Sequence, residues 1–274
     1  MSNIDWTNKT WNPVIGCARV SEGCRNCYAE RMAVRVANMG LREYDGLTNG
    51  NLRKPRWTGE VRFLPGRIDE PRHWRKPTVV FVNSMSDLLH EGLGGEQIGE
   101  ILAVMRDTPR HTYQILTKRP ERLSELHDAG VTWPDNVWLG VSVEDQKSAD
   151  HRIPLLTARR YAPVLWVSYE PALGPVDWHR WAAKLDWIVI GGESGPGCRP
   201  FDLAWARSTI RAFQAVGKAV FMKQVGGQLA ESGGKGNDPE GWPADLRVRQ
   251  YPSELESRPR MSLGMNQQPQ DGGL

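Results

Sequence analysis

From about residue 78 onward the chain alternates short apolar, β-prone runs with longer stretches of helical spacing, and that alternation leaves few folds open. The runs fall at 78–83, 113–117, 137–143, 164–168, 187–190 and 219–222. Several are nearly continuous in apolar residues, the pattern of parallel strands covered on both faces. Between them, 95–107, 120–129, 145–157 and 202–216 read as helices, with Pro120 suited to a first turn and Asp202 to an N-cap. Strand–helix repeats with right-handed crossovers make a parallel sheet with helices outside. A short first strand near 13–16 would bring the count to six or seven. The expectation is an α/β chain built as a partial or full parallel (β/α) barrel.

Upstream, residues 28–39 have a narrow apolar helical face of Ala29, Met32, Ala33, Val36 and Ala37, stopped by Gly40. Residues 41–76 are rich in Gly, Pro and Arg and read as an irregular insertion. One domain over 1–251 is expected, followed at 252–274 by a polar, Pro- and Gly-rich segment expected to be disordered. No apolar run reaches the ~20 residues of a membrane span and the N-terminus has no secretory core, so a cytoplasmic protein is expected. A net charge of +3 implies no polyanionic partner by itself. The local signal is stronger: Arg53, Lys54, Arg56, Arg62, Arg67, Arg72, Arg75 and Lys76 share the insertion with Trp57 and Trp74. Two readings stand, a solvated loop whose tryptophans cover a barrel face, or a basic aromatic surface for phosphates and bases.

Three of the four cysteines, Cys17, Cys24 and Cys27, lie within eleven residues, with six residues in the first gap and two in the second. The two-residue gap lets two thiolates turn towards one centre, and Gly16 and Gly23 let the longer loop curl back with the third. Thiolates in this number suit zinc or an iron–sulfur cluster. Structural zinc takes four protein ligands, often as two Cys-x-x-Cys pairs, and there is no second pair here. Three thiolates on a four-iron cluster leave one iron open for a small chelating ligand. Cys198 reads as an incidental residue, a fourth ligand or a thiol facing a substrate. The six histidines show no paired metal spacing.

The strands end in polar side chains that a barrel core does not explain. These are Asn83, Ser84, Ser86 and Asp87; Thr117, Lys118 and Arg119; Ser142 and Glu144; Ser168, Tyr169 and Glu170; Gly191, Gly192 and Glu193; and Lys223 and Gln224. In a barrel they converge on the C-terminal mouth, where barrel sites are built, although helix caps and loop hydrogen bonds account for part of such a set.

The run Gly16-Cys17 to Gly23-Cys24-Arg25-Asn26-Cys27-Tyr28-Ala29 comes with Asp5-Trp6-Thr7, Trp11-Asn12-Pro13, Leu116-Thr117-Lys118-Arg119, Gly140-Val141-Ser142-Val143-Glu144, Ser168-Tyr169-Glu170-Pro171 and Gly191-Gly192-Glu193-Ser194. Together they resemble the phage- and prophage-associated three-cysteine-motif proteins, an uncharacterised family resembling radical S-adenosylmethionine enzymes. The resemblance implies a [4Fe–4S] cluster on Cys17, Cys24 and Cys27 and S-adenosylmethionine on the open iron. It further implies reductive cleavage to a 5′-deoxyadenosyl radical, an electron donor to drive it, and hydrogen abstraction from a substrate. A nucleic acid, nucleotide or modified base is the expected substrate class, and a phage-encoded copy would work in the host cytoplasm. The cofactor-binding set expected on this basis is Ser84, Asp87, Lys118, Arg119, Ser142, Glu144, Ser168, Glu170, Gly191, Gly192 and Glu193. Carboxylates would take the amino group or ribose, Lys118 or Arg119 the carboxylate, and the glycines would let backbone approach. The sequence departs from the wider superfamily, whose first gap is usually three and which usually places an aromatic residue, not Asn26, before the last cysteine. A Gly-Gly-Glu stretch serves the methionine moiety in many such enzymes, but on an early strand rather than a late one. A different class of protein also fits, a non-catalytic nucleic-acid-binding protein stabilised by zinc or a cluster.

Overall fold

The computed structural model describes residues 4–229 and 236–256. Seven strands form one parallel sheet: β1 (Lys9–Trp11), β2 (Val79–Val82), β3 (Thr112–Thr117), β4 (Val137–Val143), β5 (Val164–Tyr169), β6 (Trp187–Gly191) and β7 (Ala219–Gln224). Each strand pairs with the next in chain order, and β1 and β7 are the two edges. Strands added always on the same side, with crossovers of one hand, put every connecting helix on one face. The result is a partial (β/α) barrel. The first strand is Lys9–Trp11 and not the 13–16 stretch, because Val14–Ile15 turns away to pair antiparallel with Arg62–Phe63.

Strand alternation sorts the two faces. Val137, Leu139, Val141 and Val143 of β4 point outward into the main core. There they meet α2 (Gly95–Asp107), α3 (Arg122–Asp128), α4 (Gln146–Thr157) and α5 (Leu203–Gln214), if helices are numbered from α1 (Tyr28–Asn38). Asp145 and Asp202 cap α4 and α5 by accepting from Ser148 N and Ala204 N. Trp138 of β4 points inward, and with Trp6, Phe81, Trp166, Trp187 and Phe221 it fills the floor of the concave face. The rings meet edge to face, Trp6 lying 4.9 Å from Phe81 and 5.3 Å from Trp166 between centroids.

The chain ends close this floor. A final turn, α6 (Ser253–Glu256), lays Leu255 into the aromatic cluster. Just before it the backbone runs along the free edge of β7, with Met222 N donating to Val248 O and Gln250 N to Val220 O. Arg249 then pairs with Asp5 at 3.2 Å, joining the segment that follows β7 to the one that precedes β1. The segment expected to be disordered therefore starts within described structure, and 257–274 lie outside the described residues.

The insertion is short 3-10 turns and small antiparallel pairs, including Thr48–Asn49 with Arg56–Trp57. Trp57 is buried with Ala29 and Ala33 of α1, whose small side chains give the ring a seat, while Met32 of the expected apolar face is exposed. Arg62, Arg67 and Arg72 pair with Glu60, Glu43 and Asp69/Asp107. Trp74 receives Lys9 Nζ on its face. Three of the eight basic residues are thus internal bracing, while Arg53, Lys54, Arg56, Arg75 and Lys76 are exposed with no ion pair among the described residues. Among the described residues, no helix is long and apolar enough to cross a membrane.

Packing on the inner face is tight at Gly140, where an added Cβ would lie 2.5 Å from the Trp166 ring. Gly140→Ala is expected to cost about 1–3 kcal/mol by overpacking, read as a lower urea midpoint at unchanged slope.

Candidate site at the barrel mouth

Above the indole floor the inward positions turn polar: Asn83 after β2, Lys118 after β3, Ser142 on β4, Ser168 and then Glu170 on and after β5. The cysteine loop lies across these strand ends. Its entry, Gly16, has φ +88°, a backbone that L side chains rarely adopt. Cys27 precedes the first turn of α1.

Three buried charged groups from three strands hold the loop. Arg119, 3% exposed, donates to Cys17 Sγ at 3.8 Å and to Ala18 O at 3.0 Å. It is itself fixed by Asp87 at 3.1 Å and Glu91 at 3.1 Å. Glu144 accepts from Ser21 Oγ at 3.0 Å and pairs with buried Arg152 at 2.8 Å. Gly23 passes so close that a Cβ there would sit 2.4 Å from Glu144 Oε1. Glu193 accepts from Asn26 Nδ2 at 2.9 Å and from Arg199, whose Nη2 also donates to Glu22 O at 3.0 Å.

All four cysteines are free thiols. Cys17, Cys24 and Cys27 line one cavity of about 150 Å³, shared with Tyr28, Asn83, Ser84, Ser86, Lys118 and Ser142; Cys198 is not among its walls. Burial, and then the charge of Asp87, pushes the Cys17 thiol up to about 12, against the pull of Arg119. Burial likewise raises the Cys27 thiol. Among the described residues, no three His, Cys, Asp or Glu side chains are gathered closely enough to hold a single metal ion. A four-iron cluster does not require that, since its three thiolates end on three different irons. Three free thiols lining one cavity are the kind of donor set such a cluster takes.

The same cavity holds unsatisfied polar atoms. Asn83 is 4% exposed with φ +58°, and neither its Nδ2 nor its Oδ1 has a partner; Ser86 Oγ is also buried and unpartnered. A buried amide and hydroxyl without partners, one on a left-handed backbone, are features found where a ligand completes the bonding.

The expected cofactor residues occupy distinct places. Ser84, Asp87, Lys118, Arg119 and Ser142 line the cavity. Of these, Asp87 accepts from Leu89 N, Thr117 Oγ1, Lys118 N and Arg119, so its oxygens are already engaged. Lys118 Nζ stands 3.8 Å from Glu144. Glu144 and Glu193 turn to the loop as described. Glu170 forms an ion pair with Lys223, beside buried Ser168. Gly191 faces Glu170, and Gly192 packs on Phe201 and Val225 O. Sequence reasoning did not single out Asn12, which accepts from Ser84 Oγ and Met85 N, nor Asn26, Arg152 and Arg199. Asn12 and Asn26 were visible only as polar residues inside otherwise distinctive motifs.

A partial (β/α) barrel with a thiol-bearing loop bound across its C-terminal mouth defines the class. The chain belongs to the family described as "Protein of unknown function (DUF5131)", whose model matches residues 1–260. No curated protein matches it. Two solved structures similar in fold are of spore photoproduct lyase. One is a cysteine-to-serine mutant, 12% identical over 75% of this chain and 60% of that one, TM-score 0.41. The other is complexed with dinucleoside spore photoproduct, 12% identical over 74% and 59%, TM-score 0.39. The chain thus spans about three-fifths of the length of these structures.

Burial raises the Glu193 carboxyl, but bonds from Arg199 and Asn26 outweigh it and hold the group below the usual carboxylate range. A carboxyl held low adds stability above its unfolded pKa and loses it as pH falls through the folded value. Glu193→Gln is therefore expected to destabilise by about 2–3 kcal/mol at pH 7, short of a fully buried pair because Arg199 keeps some exposure. In urea titrations the gap to wild type should close as pH drops below ~4.

Proposed function

We propose that the chain is an iron–sulfur enzyme of the radical S-adenosylmethionine kind, with Cys17, Cys24 and Cys27 holding a [4Fe–4S] cluster. The observation that carries this reading is three free thiols lining one cavity at the mouth of a partial barrel, with Cys198 not among its lining residues. When bound and reduced, a cluster with S-adenosylmethionine supplies homolytic cleavage and hydrogen-atom abstraction.

The chain's own residues supply the rest. Asn83, with one free donor group and one free acceptor, and Ser86 Oγ would bind polar groups of the ligand without displacing an existing bond. Lys118, only loosely engaged with Glu144, offers a cation for a carboxylate. The Trp6, Trp138, Trp166 and Trp187 floor keeps water out from below, which protects a reactive centre from side reactions. A nucleotide or nucleic acid is the substrate class this reading takes. Arg53, Lys54 and Arg56 are exposed, with no carboxylate partner among the described residues. Their hairpin is tied to the cysteine loop by Arg19 donating to Pro55 O. Tyr28, 55% exposed, offers a ring at the cavity edge.

Anaerobic reconstitution, reduction with dithionite and addition of S-adenosylmethionine should yield 5′-deoxyadenosine in the wild type and none in Cys24→Ala. Stoichiometric zinc without iron in protein from anaerobic growth would overturn the reading. For the substrate class, replacing Arg53, Lys54 and Arg56 with alanine should weaken single-stranded oligonucleotide binding. The slope of log K against log salt should become shallower by about 0.7 for each phosphate that the variant no longer neutralises.

A further inference from the structure

Of the groups that hold the cysteine loop, Arg119 alone touches a sulfur. Its guanidinium is planar, permanently charged and divided among four partners. Nε lies 3.1 Å from both oxygens of Glu91, and Nη1 lies 3.1 Å from Asp87 Oδ2 and 3.8 Å from Cys17 Sγ. Nη2 lies 3.0 Å from Ala18 O. Asp87, the anchor, is fixed in turn by Thr117 Oγ1 at 2.8 Å and the Lys118 amide at 3.0 Å. The guanidinium therefore cannot swing away from Cys17 without breaking several bonds among buried groups. It sits 3% exposed, where charge is screened weakly.

We infer that Arg119 is a positioning residue with two effects on Cys17, fixing where its sulfur points and raising the reduction potential of the metal centre that sulfur binds. This rests on the cluster reading above. A donor and a positive charge aimed at a ligand sulfur stabilise the state with one more electron, and hydrogen bonds to sulfur are among the determinants of cluster potential. The step is a one-electron reduction of the cluster from 2+ to 1+ by dithionite; Arg119 keeps its proton throughout. Glu144 and Glu193 hold the same loop through Ser21 and Asn26 without touching a sulfur. Losing either removes a negative charge rather than a positive one, so any shift in potential should be upward, opposite to that on losing Arg119, which gives the test its internal control.

The experiment reconstitutes wild type, Arg119→Met, Arg119→Lys and Glu193→Gln anaerobically. It measures iron and sulfide content and then the midpoint potential by EPR-monitored titration. Arg119→Met should shift the reduction equilibrium against the reduced form by about tenfold, ~59 mV for one electron. Arg119→Lys, which keeps the charge but not the fork, should fall between Met and wild type. Glu193→Gln should load less iron, at a potential no lower than that of the wild type. A wild-type potential in whichever Arg119 variant loads overturns the inference. So does loss of the cluster from both variants while the wild type loads, because Arg119 would then only hold the loop. A wild type that takes up no iron overturns the cluster reading instead.

Discussion

An open sheet of parallel strands has to cover its concave face without a second layer of helices, and here six aromatic rings do so. Trp6, Trp138, Trp166 and Trp187 come from four different segments, and their edge-to-face and tilted contacts lock β4, β5 and β6 to the N-terminal segment. Each indole buries a large apolar area. Filling only the lower half of the lumen leaves the upper half for polar groups. The division between core and site therefore lies inside single strands: Trp138 and Ser142 are two inward steps apart on β4, and Trp166 and Ser168 one step apart on β5.

On that floor the mouth is organised by charge rather than by packing. Buried Arg119, Glu144 and Glu193 would each be costly alone. Each is balanced, by Asp87, Arg152 and Arg199 respectively, and each uses its remaining capacity on the loop that carries Cys17, Cys24 and Cys27. The six-residue gap between the first two cysteines is long, yet it is held from below at Ser21 and Gly23, so its length does not make it loose. Asn83 and Ser86 carry buried polar atoms with no such duty, and Lys118 stands 3.8 Å from Glu144.

Much of the fold was legible because buried parallel strands advertise themselves. Residues 137–143 are apolar except for Ser142 and appear as β4 without change. The first strand was not, since Lys9 and Thr10 are polar and the apolar pair Val14–Ile15 next door belongs to another ladder. Trp57 left two readings open, a ring covering the barrel or a surface ring among arginines, and only the facing Ala29 and Ala33 decide for burial. At the mouth, sequence shows that Arg119, Glu144 and Glu193 end strands but not what they hold. Their partners Ala18, Ser21 and Asn26 lie more than a hundred residues away along the chain. The unpartnered atoms of Asn83 have no sequence signature beyond asparagine's tolerance of the left-handed region.

The Asp5–Arg249 pair spans 244 positions of sequence, and that separation bears on how the molecule is assembled. Interactions of such range carry nearly the full loop-closure entropy of the chain and come late to a folding reaction. Trp6 does not wait for that pair, since Thr7 and Asn8 already bond to Val79 on β2. The β7 edge and the Leu255 end of the indole floor do wait, because their cover comes from residues 248–255. A nascent chain therefore leaves that side of its aromatic floor open until the segment around Arg249 has left the ribosome.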